Sequence, residues 1–152
     1  MSDKNDLSID RLRGVKAISE FIGEDQRRTY YLASNKLLPG VFKQGSCWLG
    51  LKSVIREGYE RALQIAPDQA DVIYNLASVI EQQGEKEEAE RLYVKLLSRN
   101  PDWEDAWFRL GYLRLARADY RGGAEAFQSC VRKRAAWPEA RSFSADVAHR
   151  ER

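Results

Sequence analysis

The chain has 152 residues, 43% of them hydrophobic and 32% charged, the profile of one globular domain or two very small ones. No apolar run nears the roughly 20 residues of a membrane span, and the opening MSDKNDLSID lacks an apolar leader core, so a cytoplasmic protein without a membrane role is expected. Cys47 and Cys130 form neither a disulfide framework nor a metal motif, and the net charge of +2 is too small to argue for nucleic acid by itself. The charge is uneven, however: residues 1–66 hold 11 Lys and Arg against 8 Asp and Glu, and the remainder is slightly acidic.

Residues 1–13 are polar and are expected to form a disordered tail. In residues 14–51, Val15, Ile18, Phe21 and Ile22 recur at helical spacing, and Gly23 stops that helix. Asp25 is a candidate N-cap for a second helix running through about Leu37. Leu38-Pro39-Gly40 reads as a turn, and the residues on either side of Gly45 read as a tight β-hairpin. The string VKAISEFIGEDQRRTYYLASNKLLPGVFKQGSCWLGLKSVI resembles the winged helix-turn-helix of the excisionase and MerR-like class. That resemblance implies base or phosphate contacts to double-stranded DNA from Gln26, Arg27, Arg28 and Tyr30. It also implies backbone contacts from Lys36 and from Lys43 in the wing, with Trp48 as core beneath it. Most such proteins act as two copies, so it implies a homodimer as well.

Residues 52–66 read as a single helix ended by Pro67, with Tyr59 and Ala62 inward. From there a 34-residue period dominates. Tyr59, Tyr93 and Phe127 keep that step, as do Pro67 and Pro101, and Trp103 and Trp137. Residues 70–83 place Ile73, Leu76, Ala77 and Ile80 on one helical face, and Gly84 ends the segment. Residues 86–99 place Ala89, Leu92, Tyr93 and Leu96 inward. Trp103 through Ala116 repeats the first pattern, and Tyr120 through Lys133 the second. A fixed period of this length marks an array of helix pairs, each unable to bury its stripe alone.

These residues resemble two tetratricopeptide repeats, 70–103 and 104–137, flanked by a half-repeat at 52–69 and a capping helix at 138–152. The second repeat departs from the family pattern at Ala135, which replaces Pro, and at Arg114, where an apolar residue is usual. The fold expected is mainly α: a small winged helix-turn-helix with a β-hairpin, then an α-solenoid of tetratricopeptide hairpins. The resemblance implies that a protein or peptide partner sits in a concave groove. The lining positions are Asp71, Tyr74, Ser78, Glu81 and Gln82 in the first repeat. In the second they are Asp105, Phe108, Tyr112, Leu115 and Ala116. The family also has a clamp for a terminal carboxylate. Asn75 matches one clamp asparagine, but Arg109 stands at the equivalent site and the supporting lysines are missing. With Asp71, Glu81 and Asp105 in the groove, a basic or neutral peptide fits better.

No phosphate-cradling loop, metal-ligand spacing or paired nucleophile is visible, and His149, the only histidine, lies in a polar terminus. The chain is therefore expected to be a non-enzymatic adaptor without a cofactor, docking DNA in front and a protein behind. The alternative is a pure interaction scaffold whose front domain is a degenerate structural cap.

Overall fold

Two compact units make up the chain, one ending at Glu85 and one beginning at Lys86, in a computed structural model that describes residues 7–133. The front unit runs α1 (Leu7–Asp10), β1 (Arg11–Arg13), α2 (Gly14–Ile22), α3 (Gln26–Ser34), β2 (Val41–Gln44), β3 (Cys47–Leu51), α4 (Lys52–Ile65) and α5 (Ala70–Gln82). The second unit holds α6 (Lys86–Arg99), α7 (Glu104–Ala116) and α8 (Tyr120–Lys133). The fold is mainly helical with one three-stranded sheet of order β1-β3-β2. The expected capping helix at 138–152 and the end of the second repeat lie outside the described residues.

Residues 7–13, expected to belong to a disordered tail, form α1 and β1 instead. Leu12 turns inward between two exposed arginines, and β1 pairs antiparallel with β3, Leu12 opposite Gly50. Asp10 accounts for much of this order. Its two carboxylate oxygens accept from the Ser53 backbone N–H and hydroxyl, both at 2.8 Å. That carboxylate caps the start of α4, whose own preceding residue, Leu51, supplies no side-chain cap. An acidic group 43 residues away thus does the work of a local cap.

The hairpin forms where expected, with Gln44 opposite Cys47 across Gly45-Ser46. Asp25 caps α3, accepting from the Arg28 N–H at 2.8 Å. α3 stops at Ser34, three residues earlier than expected, because the Lys36 and Leu37 N–H groups turn back to the Ala33 and Leu32 carbonyls. Ile18 and Ile22 of α2 and Ile55 of α4 are fully buried. α4 runs unbroken through Gly58, where a Cβ would lie 2.2 Å from the Pro39 ring.

In the second unit, α6 buries Ala89, Tyr93 and Leu96, and α8 buries Ala124, Phe127 and Cys130. α7 and α8 approach closely because both are small at the crossing, Gly111 lying under the Phe127 ring and Gly123 against the Gly111 carbonyl. Arg114 forms an ion pair with Glu90 at 3.2 Å, so its departure from the apolar pattern serves a partly buried charge pair shared with Arg117. Among the described residues, no helix is long and apolar enough to cross a membrane, and no three His, Cys, Asp or Glu gather to hold a metal.

The 34-residue period makes Gly84 and Ala118 equivalent, and both are left-handed, with φ of 87° and 61°. For an L-residue this conformation costs about 1–2 kcal/mol, while an added glycine loosens the unfolded chain by about 0.4–1 kcal/mol. Ala118→Gly is therefore expected to leave stability unchanged or raise it by about 1 kcal/mol, read by urea unfolding. A loss above about 1 kcal/mol, the size seen when glycine enters a helix interior, would contradict the assigned backbone.

Candidate functional site

α5 was expected to bury one stripe and present the other face. Residues 73–80 are instead buried without interruption. Its apolar stripe packs on α4, and a second contact meets the end of α2. The last carbonyls of a helix have no partner within it. Those of α2 are met from α5: the Asn75 Nδ2 donates to the Ile22 carbonyl at 2.9 Å and to Glu24 Oε1 at 3.0 Å. The Ser78 hydroxyl donates to the Phe21 carbonyl at 3.3 Å.

Gly23 allows this approach. Its φ of 77° lets its own N–H and that of Glu24 both return to the Ser19 carbonyl, closing α2. A Cβ there would sit 2.6 Å from the Ser78 Oγ and 3.3 Å from the Tyr74 ring. Tyr74 and Ser78, expected to line an open groove, are thus covered by the end of α2 from within the same unit. Of the other positions expected on α5, Asp71 and Gln82 are exposed and Glu81 is half-buried.

The same joint claims a residue expected to touch DNA. Arg28 Nε lies 3.3 Å from the Glu24 carboxylate and Nη2 lies 4.0 Å from Asp71, so its charge is turned toward α5. The remaining members spread over the outer side of the front unit. Gln26, Arg27 and Tyr30 are exposed on α3, and Lys36 is exposed just after it. Trp48, expected as core, is half-buried. Tyr30 meets its ring edge-on at 6.2 Å, and the Lys43 ammonium lies 5.9 Å over it. Tyr30, Lys43 and Trp48 therefore form one aromatic and cationic surface, while Arg28, itself exposed, pairs with Glu24 and Asp71.

Two features here lay beyond sequence reasoning. Arg56 of α4 donates to Glu60 at 2.9 Å, to Glu85 at 2.6 Å and to Gln83 at 2.7 Å, tying α4 to the end of α5. Hydrogen bonds to Glu85 and Glu60 push the Arg56 guanidinium further up, and Arg56 holds the Glu85 carboxyl below its usual range. Tyr59 was legible as core, but its buried hydroxyl has no hydrogen-bond partner among the described residues. Burial first, and the Glu24 charge second, push its phenol above the usual tyrosine range.

On α7 the expected partner residues divide. Phe108 meets Phe127 edge-on at 5.8 Å, and Phe108 and Leu115 pack onto the buried Ala124–Phe127 cluster. Asp105 and Ala116 are exposed, and Tyr112 is 50% exposed.

Removing the Asn75 amide would leave Ile22 and Glu24 without their buried donor. Asn75→Ala is expected to cost about 1–3 kcal/mol in urea unfolding. Tyr59→Phe, which removes a hydroxyl that bonds nothing, is expected to cost less than about 0.5 kcal/mol. Equal losses from the two would contradict the geometry of this joint.

Two family models, each described as a tetratricopeptide repeat, match residues 57–111 and 105–135. Among solved structures, the tetratricopeptide domain of Sgt2 from Aspergillus fumigatus is 25% identical with a TM-score of 0.58, over 65% of this chain and 67% of that one. MamA from MSR-1 is 22% identical with a TM-score of 0.58, over 66% of this chain and 57% of that one. The first such domain of Spaghetti (RPAP3), bound to the HSP90 peptide SRMEEVD, is 15% identical with a TM-score of 0.59, over 64% of this chain and 80% of that one. No curated protein matches the sequence. With the period, the buried Tyr93 and Phe127 and the paired helices already in view, the chain is a tetratricopeptide-repeat protein over residues 57–135.

Proposed function

We propose that the chain is a non-enzymatic interaction scaffold that offers a protein or peptide the outer face of its second repeat, while the front domain caps the first. One comparison carries this reading. Ser78 and Tyr112 are equivalent under the 34-residue period, yet Ser78 is 0% exposed beneath the end of α2 and Tyr112 is 50% exposed. The first repeat holds a piece of its own chain at this position, and the second leaves half of a ring exposed. Exposed aromatic side chains combine apolar area with few rotatable bonds, which suits them as anchors. Asp105 on the same helix favours a basic or neutral partner. The Spaghetti domain supplies a peptide-bound precedent for the fold, but its carboxylate-ended ligand is not carried over. Asn75, the one asparagine that matched such a clamp, already bonds Ile22 and Glu24.

A photo-crosslinking residue placed at Tyr112 tests the reading in extracts of the source organism. Discrete adducts are expected from position 112 and none from the exposed Val54 of α4. Adducts from neither position, or equally from both, would overturn it.

A second reading keeps the front domain as a winged helix-turn-helix on double-stranded DNA, acting as two copies. It draws on the α2–α3 pair, the β1-β3-β2 sheet and the surface of Arg27, Tyr30 and Lys43. Binding to labelled duplex, followed by anisotropy, would then weaken steeply with salt. Arg27→Ala and Lys43→Ala would each lower the log–log salt slope by about 1. Absence of binding at low salt would remove this reading and leave the scaffold intact.

A further inference from the structure

α7 carries apolar side chains on both of its sides. Phe108 and Leu110 stand two residues apart, about 200° around the helix. The Phe108 side is taken up by Phe127. The opposite side, where Trp107 and Leu110 project, opens between α6 and α8 into a cleft of about 390 Å³. A neighbouring recess of about 320 Å³ continues it, since Trp107 and Ser129 line both. The combined groove lies wholly within the second unit and shares no lining residue with the Tyr112 face.

Its floor is aliphatic: Leu97, Leu110 and Ala126 are buried, and Val94 on the rim is 43% exposed. Trp107 is held in place by its indole N–H, which donates to the Pro101 carbonyl at 2.8 Å, so the ring offers carbon surface and no spare donor. The charges around the groove are mostly matched. Arg114 meets Glu90, Glu125 meets Arg121, and Lys133 meets Asp102. Arg132 differs. Its guanidinium donates only to the Gln128 carbonyl at 3.4 Å and the Ser129 hydroxyl at 3.3 Å, with no carboxylate among the described residues. An apolar trough thus ends at a cation with no carboxylate partner among the described residues.

We propose that this groove docks an acidic amphipathic peptide segment of a partner protein. Apolar side chains on one face of the segment lie over Leu97, Leu110 and Trp107, and a carboxylate about one turn away reaches Arg132. The volume falls in the range of about 300–1,000 Å³ typical of ligand sites. Recognition by anchors at i, i+3 or i+4 suits a trough between two helices. The arginine fork favours a carboxylate. The partner's charge is the opposite of that favoured beside Asp105, which makes the two surfaces separable.

Display selection of random 12-residue peptides on the full chain tests this. Enriched peptides are expected to share two apolar residues three or four positions apart and an acid within one turn. Their affinity should fall about tenfold or more with Arg132→Glu and with Val94→Asp, while Tyr112→Ala leaves it unchanged. Both variants alter exposed side chains, and their helical circular dichroism should match that of the parent. No enrichment, or peptides insensitive to both variants, would overturn the proposal. Peptides weakened only by Tyr112→Ala would overturn it while supporting the scaffold reading. Peptides resembling residues 134–152, or self-association abolished by Arg132→Glu, would assign the groove to the chain itself and overturn it as well.

Discussion

The C-terminal turn of α2 ends inside the protein, and the front unit depends on how its carbonyls are satisfied. Buried carbonyls without partners are costly. Here Asn75 and Ser78 reach Ile22 and Phe21 from a helix more than fifty residues later, and Gly23 gives them room. Once that contact forms, α5 is buried all round over two turns. Glu24 and Arg28 then extend the contact toward the surface as a charge chain ending at Asp71. The front domain and the first repeat helix are one folded object rather than two modules joined by a linker.

This contact also bears on function. A solenoid's terminal repeat needs something to cover its exposed face. On the proposed reading the end of α2 supplies it, through its hydrogen bonds to Asn75 and Ser78. On the proposed reading, the front domain stabilises the array and narrows recognition to the second repeat. α7 there carries unlike surfaces on opposite sides, an aromatic and acidic one at Tyr112 and Asp105 and an aliphatic one ending at Arg132. Such an arrangement suits a small protein that brings two differently charged segments together.

Periodic features were legible in the sequence because they repeat a local rule. Tyr93 and Phe127 are fully buried, and Asp25 caps α3 as its position before the helix suggests. The hairpin follows from the turn at Gly45 between two apolar runs. What stayed hidden depends on pairs far apart in the chain. Arg11–Arg13 is too short and too charged to read as a strand, and it orders because β3 offers an edge and Asp10 caps α4. Tyr74 and Ser78 match groove positions by register, and no local signal says that α2 will reach them first. Arg28 read as a nucleic-acid contact because its neighbours are basic and aromatic; Glu24 stands four residues before it in the sequence, whereas its second partner, Asp71, is visible only in three dimensions. Arg56 and Glu85, 29 residues apart, belong to the same class.

Native-state hydrogen exchange of the full chain, resolved amide by amide, tests the joint most directly. If the end of α2 is part of the same folded object as α5, the amides of Phe21 and Ile22 and those between Ile73 and Ile80 will share one opening free energy within about 0.5 kcal/mol. If α2 opens about 2 kcal/mol more easily while α5 stays protected, the front domain is a loosely attached module. The face carrying Tyr74 and Ser78 would then be open to a partner after all.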